Sequence, residues 1–182
     1  AIYDGSTSNI AVSENGATAV TTSCANVGNA FSINTGIALP AAGTPIHIWV
    51  DGVAACNGNN ANSCGATVIR YSGTGNITNA ILRRNRLLLR SDTGNAITNA
   101  IIGVWDNAND ADIPYDVDAS NNLVVEDGIK LIINTGNIYI PGANVTTSPS
   151  SVAGSTDGDV TILSGATFDF GNNSFSIGGD VT

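Results

Sequence analysis

Five aspartates crowd one short stretch of this chain. Asp106, Asp110, Asp112, Asp116 and Asp118 fall within DNANDADIPYDVD, residues 106–118. A hard cation such as calcium takes about six to eight oxygen ligands, many of them carboxylates. The stretch departs from an EF-hand, which needs a glycine at the sixth loop position and a closing glutamate. Calcium held by a subset of these aspartates is the expectation. The plainer alternative is a solvated acidic loop. No other residue pattern asks for a cofactor.

Catalytic chemistry has little else to use. His47 is the only histidine and sits in Ile46-His-Ile-Trp-Val50, with no cysteine or second histidine nearby. A lone imidazole lacks the oriented partner that nucleophilic catalysis needs. G-x-S-x-G, a P-loop, G-x-G-x-x-G and H-E-x-x-H are all absent. Arg83, Arg84, Arg86 and Arg90 form the one basic cluster. With the acidic stretch, they are the only residues that serve an enzymatic alternative. That alternative is a carbohydrate-active β-helix enzyme, polysaccharide lyase-like, with a carboxylate-bound calcium and an arginine base. An aromatic content of 5% is thin for a sugar groove. The chain is therefore expected not to be an enzyme.

Three cysteines stand at 24, 56 and 64. Cys56 and Cys64 bound a polar loop, CNGNNANSC, that lacks the further ligands of a zinc site. A disulfide between them is favoured because short loops close at little entropic cost. It implies an oxidising compartment. Pairing of Cys24 with either one remains the alternative.

Net charge is −9, with Lys130 the only lysine. That balance argues against nucleic acid and anionic membrane as partners. No apolar run is long enough to cross a bilayer, so no membrane insertion is expected. Ala1 is compatible with a mature terminus from which a targeting segment has been removed. Three sequons, at Asn76, Asn144 and Asn172, are glycosylation acceptors if the source modifies its surface proteins.

The elements that must position these residues read as strands. Apolar residues alternate in short runs, as in Leu131, Ile133, Ile138 and Ile140, broken by Asn-Thr-Gly-Asn. Even Asn79–Arg90, the best helix candidate, contains Leu87-Leu-Leu-Arg and reads as strand. The pattern then repeats. Laying Gly128 on Gly165, 37 residues apart, aligns 122–146 with 159–182. It sets Leu131 against Phe168, Ile133 against Phe170 and Ile138 against Phe175. One deletion later, Val145 meets Val181. Shorter echoes lie inside: Gly-Asp-Val-Thr at 158–161 and 179–182, and Ile-Thr-Asn-Ala-Ile at 77–81 and 97–101. A step near twenty residues, with three strands and three corners, is one rung of a β-solenoid.

The fold expectation is therefore all-β, a parallel β-solenoid over 71–182 with an irregular entry or cap region at 1–70. Strands are expected near 9–12, 30–33, 46–50 and 67–71. Asp106–Asn122 and Ser148–Gly158 are loops inserted into the repeat. The alternative is an antiparallel β-sandwich or jelly roll of donor-strand pilin type, whose N-terminal segment enters a neighbour.

The tail SGATFDFGNNSFSIGGDVT, residues 164–182, resembles the repeat strands of large secreted bacterial surface proteins and adhesins with β-helical stalks. The resemblance spans roughly 122–182 and carries no catalytic motif. It implies a right-handed parallel β-helix displayed outside the cell.

Function follows as an expectation of assembly. Gly179, Asp180, Val181 and Thr182 repeat the phrase that opens a rung at 158. An open rung presents unpaired backbone and an uncovered core, which invites stacking by another chain. The chain is read as a subunit of a cell-surface filament or stalk-like adhesin, extracellular, joining copies of itself head to tail. Surface polysaccharide is a further expected partner.

Overall fold

The structure is a computed structural model that describes residues 9–23, 31–32, 40–53, 56, 64–149 and 158–182. Cys24 and residues 150–157 of the Ser148–Gly158 loop lie outside the described residues. So does most of the strand expected near 30–33; Phe31 and Ser32 are not in a strand.

The chain is all-β, with mixed sheets and, among the described residues, one turn of helix. Strands β1 (Asn9–Glu14), β2 (Val20–Ser23), β3 (Pro45–Asp51), β4 (Ala66–Arg70) and β5 (Arg86–Ser91) share one sheet. Later strands β8 (Lys130–Ile133) and β11 (Val160–Ile162) join it, in the order β11-β8-β5-β4-β3-β1-β2. A second sheet holds β6 (Tyr115–Val117), β7 (Leu123–Val125), β10 (Val145–Thr146) and β13 (Phe175–Ser176). A third pairs β9 (Ile138–Tyr139) with β12 (Thr167–Phe168).

Strand direction changes at β4. Before it, β2, β1, β3 and β4 pair antiparallel, with only β1 and β2 joined by a short hairpin connection. After it, β4–β5, β5–β8 and β8–β11 are parallel, and so are β7–β10, β10–β13 and β9–β12. Only β6 turns back, antiparallel to β7. From β7 onward the chain visits the second, first and third sheets in rotation: β7, β8, β9, β10, β11, β12, β13. The alternative, a wholly antiparallel sandwich, is not what these pairings make.

The 37-residue register does not hold. Leu131 pairs with Val160, Ile138 with Thr167 and Val145 with Phe175. Ile133 is buried while Phe170 is exposed, and Val145 is buried while Val181 is exposed. Ile138 is exposed while Phe175 is half-buried. Of these four pairs, only Leu131 and Phe168 share the core, although the register's further pairs Leu123 with Val160 and Val125 with Ile162 lie in it too. Two-residue alternation looks alike on every side of the molecule, so a slide onto the next side keeps the apolar pattern intact. A short step appears at three places in the ladders, Ala66 beside Leu87, Leu123 beside Val145 and Val160 beside Val181, whereas Leu131 and Val160, Val145 and Phe175, and Leu87 and Leu131 pair across longer steps.

One continuous core runs through both halves of the chain. Ala11 and Trp49 of the antiparallel strands pack in the same cluster as Leu87, Leu131, Tyr139 and Val160. Burying such side chains is worth roughly 1.5–3 kcal/mol each for the larger aliphatic and aromatic ones. In β5 the burial alternates, as a strand with one wet face requires. In β3 it does not, because both faces are covered: Trp49 faces this core, and Ile46, Ile48 and Val50 face a second one.

The helix α1 (Asn99–Ile102) forms at a corner. Thr98 caps it, accepting the Ile101 N–H at 3.3 Å, and the Gly103 N–H closes it on Asn99 O at 2.8 Å. Asn99, fully buried, donates to Asn121 O at 2.8 Å and Asn144 O at 3.1 Å. Tyr139 Oη in turn donates to Asn99 Oδ1 at 2.5 Å. The corner of the fold is thus a satisfied polar network inside an apolar core.

Candidate functional site

The acidic stretch folds on itself. Asp106 is buried and accepts the N–H groups of Ala108 and Val117. Asp110 accepts from Asp112 N, and Asp112 from Gly52 N at 2.8 Å. Asp118 accepts from Ser120 N, Asn122 N and the Asn122 amide. These are turn-forming contacts, in which aspartate replaces a missing backbone partner. Burial, the largest cause, raises the carboxyls of Asp106 and Asp112 above the ordinary range, whereas the Asn122 contacts lower Asp118. Among the described residues no three His, Cys, Asp or Glu side chains stand together as a metal site. The calcium expectation for Asp106, Asp110, Asp112, Asp116 and Asp118 is corrected accordingly: Asp106, Asp110 and Asp118 turn to backbone groups of their own stretch, and Asp112 turns to Gly52 N at the end of β3.

Cys56 and Cys64 are joined in a disulfide, and both are buried in the main core. Among the described residues no helix is long and apolar enough to cross a membrane.

His47 is buried and has a structural contact. Its Nε2 donates to Ile102 O at 3.0 Å, tying β3 to the end of α1. Desolvation pushes its pKa down to about 4, so it is neutral at physiological pH. Arg90 spans Thr78 O, Asn79 O and both oxygens of Asp92, at 2.6–3.1 Å. The bidentate pair with Asp92 lies at the end of β5, and the whole set is away from the acidic stretch in sequence and in partners. The lyase-like pairing of arginines with the acidic stretch therefore has no contact to rest on for Arg90.

Asn76, Asn144 and Asn172 are all exposed. Asn144 also has a structural task. Asn122 Oδ1 accepts the Asn144 N–H at 3.2 Å, and Asn144 Oδ1 accepts the Ser174 N–H at 2.9 Å. Each side chain thus bonds the backbone of the next strand turn along the molecule.

The residues expected to support assembly lie at one edge of the first sheet. Val181 forms a parallel bridge to Val160, held by Thr182 N to Val160 O at 3.0 Å, Val160 N to Asp180 O at 2.9 Å and Ile162 N to Thr182 O at 2.8 Å. In a parallel bridge of this kind the N–H and C=O of Val181 itself point away from β11. Its side chain is 54% exposed. At the same end, β12 and β13 are the last strands of their sheets.

Sequence reasoning missed the aromatic cluster there. Phe168 stacks on Tyr139 at 5.1 Å and meets Phe175 edge-on at 4.6 Å, with Phe170 5.8 Å away. Tyr139 is fully buried, Phe168 and Phe175 are half-buried, and Phe170 is 45% exposed. Among the described residues the core therefore grades into an exposed aromatic surface. The spacing of Phe168, Phe170 and Phe175 was the available signal, since it places three of the chain's four phenylalanines in one tail.

Comparison with protein-family models, with characterised proteins and with solved structures finds no match for this chain.

Proposed function

We propose that this chain is a non-enzymatic structural subunit that stacks on copies of itself through the end of a three-sided parallel β-solenoid that carries Val181, β12 and β13. The rotation of the chain through three sheets, with parallel ladders on each, supports the solenoid reading. A right-handed coil is expected because parallel crossovers are nearly always right-handed. An extracellular filament or stalk is the setting that the Cys56–Cys64 disulfide favours.

The observation that carries the reading is the union of free strand edges and half-buried aromatics at one end. Among the described residues, Val181, β12 and β13 have no strand paired on their outer edges, beside Phe168, Phe170 and Phe175. Edge strands of this kind recruit further strands unless they are blunted. A second copy is the proposed occupant because, among the described strands, the first sheet has its other edge at β2. Translating one copy onto the next brings β2 to the Val181 edge. β2 runs opposite to β11, so the junction would be antiparallel. Such head-to-tail contact does not close on itself and propagates as a fibre. Sedimentation of the intact chain against edge-blocked variants tests it, as set out at the end of the Discussion.

A further inference from the structure

The outer face of the first sheet is covered only in part. Over β1, β3 and β4 a second core closes it, where Tyr71, Ala80 and Leu82 of the β4–β5 connection pack on Ile10, Ile48 and Ile69. Past Ile81 and Arg83, no described residue of that core continues the cover. Outward side chains of β5, β8 and β11 there line a groove of about 340 Å³.

Strand register sets two rows along this groove. Arg86 lies beside Lys130, and Leu88 lies beside Ile132, which lies beside Thr161. The first row is cationic and the second is largely apolar, with Leu163 at its far end. Three of the chain's six lysine and arginine side chains, Arg83, Arg86 and Lys130, thus face one groove on a molecule of net charge −9. Lys130 is already paired with Asp159. Arg83 and Arg86 have no ion pair among the described residues, and Arg86 Nε is buried without a hydrogen-bond partner. An unpaired buried donor costs free energy that an incoming oxyanion would recover.

We propose that this groove binds a small amphipathic carboxylate. Its carboxylate accepts from Arg86 and Arg83, and its apolar body lies on Leu88, Ile132 and Leu163. The volume sits near the lower end of small-molecule sites, about 300–1,000 Å³, which suits one acyl or aryl body. The inference does not rest on the stacking proposal, because the groove is on the side of the molecule and not at its end.

The test is calorimetric or NMR titration of the intact chain with octanoate and with phenylacetate, which separate an aliphatic from an aryl body. Octylamine and octanol serve as cationic and neutral probes of the same shape. Saturable binding of at least one carboxylate is expected, with octylamine silent. Arg86→Gln and the exposed Arg83→Gln should each weaken it about tenfold, the scale of a lost charge-assisted hydrogen bond. Phe170→Asp, at the Val181 end, should leave it unchanged. Three results would overturn the proposal. One is no binding of either carboxylate at millimolar concentration. Another is equal binding of octanol. The third is binding abolished by Phe170→Asp but untouched by both arginine variants.

Discussion

Leu131 stands beside Val160 in parallel register, 29 residues later in the chain (131 to 160), with both side chains fully buried in one core. The pair defines how successive turns of this molecule stack. It also shows that chain between equivalent positions is added at the corners and not in the strands. Thr147 marks one such corner: its hydroxyl donates to Gly158 O at 2.6 Å, across the base of the loop. Leu123 and Val145, which flank no such loop, pair at the shorter step (123 to 145).

The corner network around Asn99 should be costly to break. Tyr139→Phe leaves Asn99 Oδ1 buried without its donor and keeps the ring packing on Phe168. A loss of about 1–3 kcal/mol is expected from the stranded acceptor. Urea denaturation of the variant measures it; an unchanged midpoint would show that the hydrogen bond contributes nothing.

His47 should make stability pH-dependent. The unfolded imidazole titrates near its ordinary value of 6.5, whereas burial holds the folded one down to about 4. Between those values the unfolded chain binds a proton that the folded chain refuses. The contribution is full above about pH 6.5, drains as pH falls, and levels off below about pH 4, with about 3 kcal/mol lost in all. Asp106 and Asp112 work in the opposite sense, since burial raises their carboxyls and protonation relieves them. Subtracting the profile of His47→Gln isolates the histidine. A difference between the two proteins that stays flat from pH 7 to pH 4 would contradict the assignment.

How much of this was legible in the chain differs by element. Strand chemistry was: β1, β3, β4 and β5 lie where alternation and β-branched runs put them. The side on which each strand would lie was not, because Leu131-x-Ile133 and Thr167-Phe168-x-Phe170 carry the same period on different sheets. α1 was missed, although Thr98 before Asn-Ala-Ile-Ile and Gly103 after it are ordinary helix boundaries. A four-residue helix has too little periodicity to stand out. In the acidic stretch the residue types were read as ligands, yet convergence is a property of the turn. Asp106, Asp112 and Asp118 each found a nearer backbone donor.

The disulfide should matter more than its short loop suggests by eye. Cys56 and Cys64 are eight residues apart and both are buried. Loop-closure entropy alone gives about 2–3 kcal/mol for a ring of this size. The double variant Cys56→Ser, Cys64→Ser should lose at least that much, read from thermal melts. Equal melting temperatures for the two proteins would remove the disulfide from the stability account.

Calcium should not stabilise the fold. A ligand bound only by the folded state raises the melting temperature by mass action, and the five aspartates do not converge on one point. Melts in millimolar calcium and in EDTA are expected to coincide. A rise of several degrees with calcium would restore a metal site in this loop.

The most direct test of the stacking account is sedimentation velocity of the intact chain over rising concentration, alongside Val181→Pro and Phe170→Asp. Proline at 181 removes the N–H that points away from β11 and keeps the Thr182 N–H to Val160 O bond. Aspartate at 170 places a charge on the exposed aromatic surface. The account predicts that the parent protein sediments as a growing series of species, reaching filaments below about 1 mM, while both variants stay monomeric with unchanged far-ultraviolet circular dichroism. A parent protein that sediments as one monomeric species throughout that range would contradict it.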